Sequence, residues 1–93
     1  MYKLIFPNSY EEKVKKFLRK HPELKGQYSK TLQLLEINPF HPSLRLHLFK
    51  TSSFEGYSVS INMSYRISME FIVTEKEIIL VNIGDHQDIY GKK

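Results

Sequence analysis

The chain has 93 residues, 41% of them hydrophobic and 26% charged. That is enough for one small core and too apolar for a disordered chain, so the expectation is a single domain over residues 1–93. Lys and Arg number 14 against 10 Asp and Glu, a net charge of +4, which suits a nucleic-acid or acidic protein partner. With no cysteine, disulfide staples and thiolate metal sites are excluded, and no apolar run has the length of a signal peptide or membrane span. A cytoplasmic protein with no membrane partner is expected.

Residues 2 to 6 read as a short strand ended by Pro7. Asn8-Ser9 offers an N-cap, and Ser9 with Glu12 has capping-box spacing. Tyr10, Val14, Phe17 and Leu18 then fall on one helical face, with Lys13, Lys15, Lys16, Arg19 and Lys20 around the rest. His21-Pro22 breaks that helix, and Pro22 is placed to start a second. Leu24, Tyr28, Leu32 and Leu35 recur there at a spacing of three or four, up to Asn38-Pro39. Two helices joined by so tight a break predict a hairpin.

Beyond the stiff Asn38-Pro39-Phe40-His41-Pro42 loop the period changes to two. Leu44, Leu46 and Leu48 alternate with Arg45 and His47; Tyr57, Val59 and Ile61 alternate with Ser58 and Ser60; Tyr65, Ile67, Met69 and Phe71 alternate with Arg66, Ser68 and Glu70. A last strand runs from about Glu77 to Ile83. This alternation with short turns predicts antiparallel strands. The fold class is therefore α+β: a short N-terminal strand, a two-helix hairpin and a four-stranded antiparallel meander, with the helices on one sheet face.

If the apolar sets face the helices, the opposite face carries Arg45, His47, Ser58, Ser60, Arg66, Ser68 and Glu70. Periodicity alone reads this as a solvated polar face. The tail gives it a second reading. An apolar strand stops at Gly84, and His86 and Tyr90 follow four residues apart beside the same strands. An imidazole and a phenol on a rigid strand end suit proton transfer near neutral pH, and the small serines leave room for a phosphodiester backbone. His41 reads as a loop residue and His21 as a helix terminator. No histidine pair or acidic cluster has ligand spacing, so no metal and no cofactor are expected.

Three segments in order resemble the RelE/ParE superfamily of toxins from bacterial toxin–antitoxin pairs. They are Asn38 to His47 after the second helix, Gly56-Tyr57 through Ile61-Asn62 to Tyr65-Arg66-Ile67, and the Gly84-Asp85-His86 to Tyr90 ending, which is similar to the YafQ-like branch. The resemblance covers almost the whole chain. It implies an endoribonuclease that enters the ribosomal A site and cuts mRNA without a metal, leaving a cyclic phosphate. It also implies an acidic antitoxin that folds across the basic face, with ribosome and mRNA as the other partners.

Carried over by position, Arg66 stabilises the phosphate and grips two of its oxygens, and His86 is general acid or base. Tyr90 stacks on a base or positions the phosphate, and His47 is the second proton carrier. Arg45 and Lys50 add phosphate contacts beside Ser58 and Ser60. Two residues depart from the pattern: Asn82 stands where many ribonuclease members have a base, and Glu70 puts a negative charge on the proposed face. A ParE-like gyrase-poisoning toxin and a degenerate antitoxin-binding member are the alternatives.

Overall fold

The change of period after residue 38 is where helices give way to sheet. The structure, a computed structural model, describes residues 1–91. Strand β1 (Lys3–Ile5) leads into helix α1 (Asn8–Lys20), a short 3-10 turn at Pro22–Leu24 and helix α2 (Lys25–Ile37). A second 3-10 turn at Pro42–Leu44 precedes strands β2 (His47–Lys50), β3 (Glu55–Ser60), β4 (Arg66–Ile72) and β5 (Glu77–Gly84), and helix α3 (His86–Tyr90) follows. The sheet order is β1-β5-β4-β3-β2, antiparallel from β2 through β5, with β1 parallel to β5 at the far edge.

The expected Ser9 cap does not form. Helix α1 begins two residues earlier than that cap implies, at Asn8, and Pro7 is its N-cap without any side-chain hydrogen bond. Pro7 supplies an extended φ/ψ of −60°/153° and its carbonyl receives Glu11 N–H at 3.0 Å, so the backbone starts the helix unaided. Pro22 opens the 3-10 turn rather than α2 itself.

One sheet face and both helices share the core. Tyr10 and Phe17 of α1, Tyr28 and Leu35 of α2, and Val59, Ile67, Met69, Ile78 and Leu80 of the sheet are buried together. Each large apolar side chain removed from water there contributes about 1.5–3 kcal/mol before entropy is counted. The Tyr10 and Tyr28 hydroxyls meet at 2.8 Å inside it. Burial raises the pKa of both phenols, so they stay neutral and serve each other as donor and acceptor.

Two departures from strict alternation set up the other face. Leu44 is buried in the 3-10 turn, not in a strand; Arg45 after it is left-handed at φ 50°, and β2 starts only at His47. Leu48, expected to face the helices, is 60% exposed, because the helices do not reach over that edge strand. In β5 the register slips: Ser68 pairs with Asn82 but Met69 with Leu80, leaving Val81 as the extra residue of a β-bulge. The bulge inverts the parity, so Ile78, Leu80 and Ile83 all enter the core while Asn82 joins the polar face.

Candidate functional site

The polar face is covered by α3 rather than open. Asp85 is the N-cap of this one-turn helix, and with Asp88 it forms a reciprocal capping box: Asp88 N–H donates to Asp85 Oδ1 at 2.9 Å, and Asp85 N–H to Asp88 Oδ2 at 3.1 Å. The Asp88 N–H, with the Asp88 side chain and other neighbours, holds the Asp85 carboxyl below the usual carboxylate range. Asn82 anchors the helix, donating from Nδ2 to the Asp88 carbonyl at 3.0 Å. Gly84 lies directly beneath Asp88, where a Cβ would collide with its side chain. Ile89 is buried under the helix. The sequence reading missed α3; the Asp85-x-x-Asp88 spacing is the signal that could have located it.

Helix α3 places Tyr90 at the centre of the site. Its hydroxyl lies 2.8 Å from Ser58 Oγ on β3. Its ring meets Phe49 edge-on at 4.8 Å, His47 edge-on at 6.0 Å and His86 at 5.7 Å between centroids. His47 and His86 are both exposed, so two imidazoles flank one half-buried phenol at the protein surface. Phe49, which the sequence reading left unassigned, is the packing partner that fixes the ring.

Arg66 is buried in β4, paired in register with Ser60. It donates from Nε to Ser58 Oγ at 3.0 Å, and from Nη2 to the carbonyls of Arg45 at 2.7 Å and Ser58 at 3.3 Å. Nη1 is the guanidinium nitrogen without a hydrogen-bond partner among the described residues. The two-pronged phosphate grip expected for Arg66 therefore has only one free nitrogen to work with. The left-handed Arg45 presents one of the acceptors that hold it.

The remaining expected site residues separate. Ser58 is fully buried and Ser60 nearly so, with Ser60 Oγ donating to the Asn62 carbonyl at 2.6 Å, so neither offers surface to a ligand. They are internal struts. Arg45 and Lys50 are exposed at either end of β2. Glu70 lies four residues along β4 from Arg66, roughly 13 Å at the rise of a strand, and makes no ion pair with it. His41 Nδ1 accepts from Ser43 N–H at 3.1 Å, and His21 packs on Phe17 and Tyr65, both structural positions. Among the described residues no three His, Asp or Glu side chains converge as a metal site, and no helix is long and apolar enough to cross a membrane.

Two concavities flank α3. One of about 610 Å³ lies between the Thr51–Phe54 loop and Tyr90, floored by Ser68 and Asn82. The other, about 800 Å³, runs between the turn before α3 and the basic side of α1, where Lys13, Lys16, Arg19 and Lys20 line it beside His21 and Tyr65. Lys13 Nζ donates at 3.5 Å to the Val81 carbonyl, on the stretch of β5 edge that β1 is too short to pair.

No known family model and no curated protein sequence matches the chain. Solved structures do. The Escherichia coli DinJ–YafQ complex aligns with a TM-score of 0.75 at 15% identity, over 98% of this chain and 100% of that one. A metal-bound toxin from Helicobacter pylori gives 0.71 at 17%, over 97% and 100%. A YoeB/ParE toxin from Agrobacterium tumefaciens gives 0.70 at 14%, over 90% and 98%. The chain has the RelE/ParE toxin fold. At these identities the likeness lies in the backbone, and the chemistry of this chain rests on its own side chains.

Proposed function

We propose that the protein is the toxin of a toxin–antitoxin pair and cleaves mRNA on the ribosome. The observation that carries this reading is the convergence on Tyr90: two exposed imidazoles flank its ring, and a buried arginine shares its Ser58 partner. Cleavage of RNA by its own 2′-hydroxyl needs a base for that hydroxyl's proton, stabilisation of the crowded phosphate, and an acid for the departing 5′-oxygen. His86 and His47 supply the two proton carriers, in either assignment. The phenol of Tyr90 meets the phosphate, the guanidinium of Arg66 supplies positive charge from beneath the surface, and Arg45 and Lys50 meet the flanking backbone. The products are a 2′,3′-cyclic phosphate and a 5′-hydroxyl, with every proton carried by a side chain.

The imidazoles that flank Tyr90 are exposed, which suits a polymer presented by a larger particle better than a free small molecule. The lysine-lined side of α1 supports contact with ribosomal RNA backbone, and an acidic antitoxin segment complements the net charge of +4. DinJ–YafQ and the Staphylococcus aureus YoeB–YefM structure, both toxin–antitoxin complexes, favour such a partner.

The test is primer extension on mRNA from ribosomes halted with a defined codon in the A site, with purified protein added. Cuts within that codon are expected, together with unimpaired DNA supercoiling by gyrase. Intact mRNA with inhibited gyrase would replace this reading by the ParE-like one.

A further inference from the structure

Ser58 is fully buried, yet its hydroxyl touches two residues of the site at once, Arg66 Nε at 3.0 Å and Tyr90 Oη at 2.8 Å. A guanidinium N–H only donates, so Ser58 Oγ accepts from Arg66. A buried hydroxyl proton needs an acceptor of its own. Among the described residues Tyr90 Oη is the hydrogen-bond partner left for it. Ser58 thus donates to the phenol, and the phenol's own proton finds no acceptor within the described protein. Two fixed points hold this order in place: the Arg45 carbonyl pins Nη2 of Arg66, and Phe49 packs edge-on against the Tyr90 ring.

We propose that Ser58 is a positioning residue that sets a one-way hydrogen-bond chain from Arg66 through Ser58 to Tyr90, turning the Tyr90 hydroxyl proton outward as a donor to a phosphodiester oxygen. The cation at the inner end polarises each link in the same direction, which strengthens the outermost donor. The ligand named here rests on the nucleolytic reading above; the direction of the chain does not.

Neutron diffraction from crystals of the deuterated protein reads the direction itself. A deuteron bonded to Ser58 Oγ and pointing at Tyr90 Oη is expected, and one bonded to Tyr90 and pointing at Ser58 overturns the proposal. A kinetic cycle on programmed ribosomes reads the consequence. Ser58→Ala should slow single-turnover cleavage about tenfold when Tyr90 is present and less than about twofold in a Tyr90→Phe background, since the two residues act as one unit. Equal losses in both backgrounds, with folding confirmed by circular dichroism, would reduce Ser58 to a packing role and overturn the functional claim. A folded wild type that cleaves nothing would refute the nucleolytic reading and the phosphodiester role together, leaving the neutron map to decide the direction of the chain.

Discussion

Arg66 and the Tyr10–Tyr28 pair show how differently single residues carry this molecule. Arg66 spends Nε and Nη2 on the protein, so Arg66→Ala strips donors from Ser58 Oγ and two carbonyls as well as from any phosphate. It should cost about 1–3 kcal/mol in urea unfolding besides its effect on cleavage. A variant that unfolds at wild-type urea would mean the internal bonds are idle. In the core, Tyr10→Phe leaves the Tyr28 hydroxyl buried without its partner, at a cost of about 1–3 kcal/mol, whereas the double change to Phe should cost less than the two single changes added together. The same pair sets an alkaline limit. Both phenols are raised in the folded state, so their contribution is complete below the ordinary tyrosine pKa of 10.0 and fades as pH rises above it. Melting temperature should fall above that pH, and less steeply in the double Phe variant.

At the scale of elements, α3 decides whether there is a site. Gly84→Ala forces Asp88 away from the strand end, so the helix should tilt and cleavage should drop at least about tenfold, while the unfolding free energy of the core, on the opposite sheet face, stays within about 1 kcal/mol of wild type in urea. Asp85 gives the helix an acid limit. Its carboxyl is lowered in the folded state, so its contribution is present above the ordinary value of 3.8 and is lost as pH falls below it. Amide exchange at Asp88 and Ile89 should accelerate there before the sheet opens; uniform protection would show the capping box is not what holds α3.

The helices and strands were legible because their apolar spacing follows burial on one face. What escaped was set by features without a period: the bulge at Val81 sits in an unbroken apolar run, and the left-handed turn at Arg45 occurs at a residue with no preference for it. Arg66, His47, His86 and Tyr90 could be nominated from their order in the chain. That Ser58 would be roofed over could not, because the roof is a five-residue helix too short to show helical periodicity.

For the whole molecule, charge and shape argue together. The lysines of α1 line the larger concavity, on one side of α3, while His47 and Arg45 lie towards β2 on the other. On the ribosomal reading proposed above, attachment and cleavage should therefore be separable. Changing Lys16 and Lys20 to Ala should lower the slope of log affinity against log salt by between about 1 and 2 and leave single-turnover cleavage at saturating protein unchanged. An unaltered slope would remove α1 from the ribosome contact. The central claim concerns His86, an exposed side chain whose loss has little structural cost. The measurement that tests it most directly is the rate of A-site mRNA cleavage by wild type and His86→Ala at equal melting temperature. The account predicts cuts by the wild type and a rate lower by about 100-fold or more in the variant. A His86→Ala protein that cuts as fast as the wild type would contradict it.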